Sequence, residues 1–133
     1  MDNKPTASEF SGLAVTPIAS LLPDIGSPGE RYLHAVVILL WPFSSATKQF
    51  RLLLSEPDPR LRGGKGQIKA IFRDSAAEAV AKSSIGIGDT IYLSLQGAKW
   101  KSSSHADSGQ LEYSQWDLLF GDRVLLEVGL VRL

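Results

Sequence analysis

The sequence predicts a mostly β fold, a five-stranded Greek-key barrel with one helix between the third and fourth strands. Three observations carry that prediction. Apolar and polar residues alternate with period two in Gln67-Ile68-Lys69-Ala70-Ile71-Phe72 and again across 90–96, as in half-buried strands. The period changes at Ser75-Ala76-Ala77-Glu78, where S-x-x-E spacing and a run of alanines favour a capped helix. Clusters of Gly, Pro, Ser and Asp punctuate the junctions.

At 133 residues the chain is long enough for one domain with a substantial core and too short for two. Residues 1–14 mix Asn, Lys, Pro, Thr, Ser and Gly with little periodicity and read as a flexible arm, so the single domain is expected to occupy 15–133. The chain stops at Leu133 in strand-like sequence, which suits the N-terminal domain of a larger protein. A lead-in over 16–22 and a turn-rich segment over 23–29 precede the first strand, expected at 31–41. Pro42 and the polar residues after it break that strand, and a second follows over 48–55. The segment 56–66, with Pro57, Pro59, Gly63, Gly64 and Gly66, reads as a long loop before the third strand at 67–72.

The helix is expected over 75–83, with Ser75 as its cap and Gly86 stopping it in a left-handed conformation. A Gly88-Asp89 turn leads into a fourth strand over 90–96. After a polar loop at 101–110, residues 111–120, a Gly121-Asp122 turn and 123–128 read as a closing hairpin. Three strands, a helix and two strands is the order of the five-stranded OB barrel. An SH3-like barrel needs no capped helix there, and a doubly wound α/β fold needs several helices.

The composition excludes several classes of function. With no cysteine, there is no disulfide framework, thiolate metal site or cysteine nucleophile. His34 and His105 are the only histidines, and nothing in the spacing brings them together, so neither a metal nor any other cofactor is expected. The apolar run 35–41 is far short of the roughly 20 residues that span a bilayer. No basic-then-apolar leader opens the chain, which reads as soluble and intracellular. Gly63-Gly64-Lys65-Gly66 lacks the Ser or Thr of a phosphate loop, and Gly86 with Gly88 precedes a strand where a dinucleotide fingerprint needs a helix. Asp58, Asp74 and Asp89 sit at expected turns, where carboxylates bond local amides. No nucleophile stands beside a base, and an enzyme is not expected.

Fourteen basic residues balance fourteen acidic ones, so the whole molecule has no field to attract a polyanion. Charge is nevertheless clustered. Between positions 48 and 73 stand Lys48, Arg51, Arg60, Arg62, Lys65, Lys69 and Arg73 against Glu56 and Asp58, a net +5. In an OB barrel this segment forms strand two, the next loop and strand three, the face that carries oligonucleotides. The segment 89–99, which contains the fourth strand and ends at Lys99, forms one wall of the groove. Single strands are held by a positive groove with rings on which bases stack. Tyr92, on the outward side of strand four, and Phe43, in the loop after strand one, are candidates for such rings. Trp41, Phe50, Phe72 and Trp100 read equally as core residues.

The lead-in Val15-Thr16-Pro17-Ile18-Ala19-Ser20-Leu21, the long strand at 31–41 and Ile87-Gly88-Asp89-Thr90-Ile91-Tyr92-Leu93-Ser94-Leu95 resemble the OB domains of telomere end-binding proteins. That family includes the protection-of-telomeres protein and the telomeric single-stranded DNA-binding proteins of fungi. The resemblance spans Val15 to Val128. It implies binding of G-rich telomeric single-stranded DNA at chromosome ends in the nucleus, beside other telomere-complex subunits and without enzymatic activity. By strand position, Lys48, Arg51, Lys69 and Tyr92 match where such domains contact DNA. The alternative is a protein-interaction or homodimerisation module of a telomere-capping complex that does not touch DNA, suggested by the apolar tail 124–133.

Overall fold

The structure, a computed structural model, describes residues 12–58, 60, 66–102 and 116–129. Within them run β1 (Ala14–Val15), β2 (Arg31–Ser44), β3 (Gln49–Ser55), β4 (Gln67–Arg73), α1 (Asp74–Lys82), β5 (Thr90–Ser94), β6 (Lys99–Ser102), β7 (Trp116–Phe120) and β8 (Leu126–Gly129). Short 3-10 turns occupy Ile18–Ser20 and Pro28–Glu30.

The strands form one sheet in the order β6-β7-β4-β3-β2-β5-β8, with β1 parallel to the start of β2. All other pairings are antiparallel except β4 with β7. The fourth strand, expected over 90–96, is β5, and a further strand, β6, follows a turn in which Gly97 has φ +80° and the Ala98 N–H donates to the Leu95 carbonyl at 3.0 Å. The two strands expected over 111–120 and 123–128 are represented by β7 and β8. The two ends of the sheet are therefore halves of one broken hairpin, β6 with β7 and β5 with β8, joined by the chain itself. The result is a mostly β, OB-like fold, and among the described residues its sheet is not closed into a hydrogen-bonded barrel. Gly121-Asp122 does not close a hairpin, because β7 pairs with β6 and β4 while β8 pairs with β5; the turn redirects one strand from one part of the sheet to another.

Alternation sets the core. Leu33, Ala35 and Val37 of β2, Phe50, Leu52 and Leu54 of β3, and Ile68, Ala70 and Phe72 of β4 all point inward and are buried. Ile91 and Leu93 of β5 and Leu118 and Phe120 of β7 complete the wall, with the Phe72 and Phe120 rings stacked at 5.3 Å. The lead-in adds Ile18 and Leu21. Val124, Leu126 and Val128, from the tail that suggested a docking surface, pack against the same core; residues 130–133 lie outside the described residues.

Helix α1 lies where the change of period placed it, and its short residues Ala76 and Ala77 let it approach the sheet closely, with Val80 one turn on. Its ends differ from expectation. Ser75 is exposed inside the first turn, Arg73 occupies the cap position in extended conformation, and no side chain caps the helix. Tertiary backbone bonds replace the capping box: the Asp74 N–H donates to the Lys48 carbonyl at 3.0 Å and the Ala76 N–H to the Gly121 carbonyl at 3.4 Å. At the other end Ser84, with φ +60°, takes the left-handed conformation expected of Gly86. Gly88, with φ +94°, makes the turn into β5.

Candidate nucleic-acid interface

Strand β2 forms the frame for the outer surface, and an irregularity in it decides what that surface carries. Up to Val37 the odd-numbered residues point inward. Between Val37 and Leu39 the register with β3 shifts by one residue, a β-bulge, and beyond it Leu40 packs inward while Leu39 and Trp41 point out. Trp41 is thereby set directly beside Arg51, Arg51 beside Ile71, Ile71 beside Leu119 and Leu119 beside Lys99. A second outward row runs through Leu39, Leu53, Lys69, Asp117 and Lys101. With strands about 4.8 Å apart, these rows cross roughly 19 Å of sheet.

The strip has an apolar floor and charged walls. Leu53 and Ile71 are buried although they face away from the core. The Arg51 guanidinium lies 5.1 Å from the Trp41 ring centroid and the Lys69 ammonium 6.0 Å from it. Both distances are in the range where a cation is drawn to the electron-rich ring face. Lys69 is held from the other side by the buried Asp117 carboxylate at 3.9 Å. Gln49 pairs with Arg73 at one end of the strip, next to exposed Lys48 in the turn, and exposed Lys99 and Lys101 lie at the opposite edge.

Of the candidate residues, Arg51, Lys69, Arg73 and Lys99 share this face and Lys48 borders it. Arg62 and Lys65 lie outside the described residues. Arg60 is turned to Asp58 in a two-pronged contact of 2.9 and 3.2 Å, a surface pair of little energetic weight. Phe43 is not in a loop but inside β2, where its ring packs partly buried against the core. Tyr92 does face outward, on a different part of the surface. It stacks on His34 at 4.7 Å with the rings nearly parallel, has Tyr32 at 6.2 Å, and stands across from Glu127 on β8. Seven residues along β2, roughly 23 Å, separate His34 from Trp41.

This second patch is acidic and aromatic where the strip is basic. Burial raises the Tyr92 phenol above its ordinary value, and the nearby Tyr32 and Glu127 raise it further. Burial lowers the His34 imidazole, and the Glu56 carboxylate partly opposes that shift. Glu56 is itself buried and accepts the Ile18 N–H at 2.5 Å, so it ties the lead-in to the end of β3.

Sequence reasoning left Trp41 undecided and missed Lys101. For Trp41 the alternation of β2 misleads, since counting by twos from Leu33 places it inside. For Lys101 a signal existed: it continues the strand period of Lys99 and Trp100, at the position where the loop was expected to begin.

A curled, mostly antiparallel sheet with a helix after its third long strand, and a cation-flanked ring on the outer side of its central strands, defines an OB-fold domain with a candidate single-strand surface. Residues 11–131 match the family described as Domain of unknown function (DUF8502), and the chain belongs to it. No curated protein is similar to it in sequence. Among solved structures it is similar to DNA-binding domain A of S. cerevisiae replication protein A, at 16% identity over 89% of this chain and 96% of that one, with a TM-score of 0.57. It is also similar to fission yeast Pot1, solved with single-stranded DNA, at 18% identity over 86% of this chain and 39% of that one, with a TM-score of 0.55. At these identities the likeness shows the fold.

Proposed function

We propose that this domain binds single-stranded DNA across the outer face of β6, β7, β4, β3 and β2, without catalysis, and that its strand is the G-rich DNA of chromosome ends in the nucleus. The observation that carries the reading is the meeting of Trp41, Arg51 and Lys69 on that face. A ring offers a base a stacking surface, and flanking cations offer its phosphates neutralisation, which together are the two elements of single-strand binding. Lys48 and Arg73 at one end and Lys99 and Lys101 at the other extend the positive track. The OB likeness to a replication protein A domain and to Pot1 supports the same reading, and the telomeric part rests on the sequence resemblance. The docking alternative loses part of its motive, since Val124, Leu126 and Val128 pack against the core.

Fluorescence anisotropy with labelled oligonucleotides tests this. Binding of a G-rich telomeric repeat at low salt, tighter than binding of a scrambled strand of equal composition, is the expected result. Equal affinity for both sequences removes the telomeric part, and no binding to either by a folded sample removes the whole reading.

A further inference from the structure

The broken hairpin leaves an opening that the strip does not account for. The chain between β5 and β6 and the chain between β7 and β8 both leave the ladder, and together they line a pocket of about 610 Å³. Gln96, Lys99, Asp122, Arg123 and Leu125 are among its lining residues, as are Gly97 and Gly121, which have only backbone to offer. That volume is in the range of small-molecule sites, roughly 300–1,000 Å³.

Its lining offers groups that a nucleotide would use. Two cations against one carboxylate leave a net positive charge that suits a phosphate. Backbone outside the ladder presents amides and carbonyls that can meet the polar edge of a base. One wall is pinned, because the Leu125 carbonyl accepts the Ser94 N–H at 2.9 Å. A side chain at Gly121 would meet nothing within 4 Å, so the space beside it is open. The position matters as much as the lining. Lys99 belongs both to the pocket and to the outward row that begins at Trp41, so a strand following that row arrives at the pocket.

We propose that this pocket holds one nucleotide, its phosphate between Lys99 and Arg123 and its base against Leu125. The inference rests on the single-strand reading and adds to it a terminus for the strand's path. The test measures anisotropy for oligonucleotides of increasing length, roughly 4 to 16 nucleotides, the range of OB-fold site sizes. Wild type, Arg123→Ala and Gly121→Phe are compared, the last filling the opening. Wild-type affinity should rise at least tenfold at one length step. Both variants should lose that step while binding the shortest oligonucleotides as wild type does. Millimolar deoxyguanosine monophosphate distinguishes the ligand's source: competition at the step alone identifies a site that also takes free nucleotides, and a step insensitive to it but absent from both variants identifies a strand-borne one.

The absence of a length step, or a step that survives in both variants, overturns the pocket. So does loss of short-oligonucleotide binding in Arg123→Ala, which would place that residue in the strip. If wild type binds no oligonucleotide of any length, the single-strand reading itself fails and the pocket fails with it.

Discussion

With Arg51 at 5.1 Å and Lys69 at 6.0 Å from its ring centroid, Trp41 has cations against its ring before any strand arrives. A base that stacks there shares the ring with the guanidinium or displaces it toward a phosphate. Trp41→Ala should weaken single-strand binding by about 1–3 kcal/mol, the worth of one stack, in an oligonucleotide titration. Arg51→Ala should weaken it as well and lower the salt slope by about 0.7, one phosphate contact on a single strand. Lys69→Ala is a poorer probe, because it also takes a counter-charge from the buried Asp117 carboxylate, so its binding and its unfolding have to be measured together.

His34 gives a residue-scale prediction of another kind. Burial holds its pKa below the ordinary 6.5 in the folded state. The unfolded chain therefore takes up the proton at higher pH than the folded one does. Its contribution to stability is complete above pH 6.5 and is lost as pH falls from there through the lower folded value. Urea unfolding across that interval should show wild type weakening toward acid more steeply than His34→Gln.

For the helix, local sequence and tertiary structure make opposite predictions. A working capping box would make Ser75→Ala cost about 0.5–2 kcal/mol. In the structure Ser75 is exposed and caps nothing, since the Lys48 and Gly121 carbonyls fix the first turn. The substitution should change stability by less than about 0.5 kcal/mol in chemical denaturation, as for an ordinary surface site. Val80, buried where α1 meets the sheet, should behave differently. Val80→Ala removes two buried carbons and should cost about 2 kcal/mol by the same measurement. The two substitutions together separate a helix held by its own sequence from one held by packing.

For the molecule as a whole, the relevant fact is the segregation of charge within a neutral chain. The field that a polyanion meets comes from the strip, while Glu127 and Glu56 lie toward the other end of β2. Binding should therefore be strongly salt-dependent despite zero net charge. With four or five phosphates neutralised at about 0.7 each, log affinity should fall against log salt with a slope of about −3. A slope near zero would mean that the strip's cations do not meet phosphate.

The sequence by itself determined the fold class, the alternation of β4 and β5, and the position of the helix, because period-two and helical patterns are local records of which side a residue buries. It also determined that Arg51, Lys69 and Arg73 lie on two paired strands. Tertiary structure alone decided the rest. Whether Trp41 faces the core or the strip depends on one inserted residue near Ile38, and a bulge changes parity without altering the composition of the strand. Whether the last strands form one hairpin or two half-ladders depends on which neighbours satisfy their backbone, and those neighbours, β4 and β5, are distant in sequence. The fold was legible because burial leaves a periodic trace. The surface was less so, because it is assembled from register, and register belongs to pairs of strands rather than to either one alone.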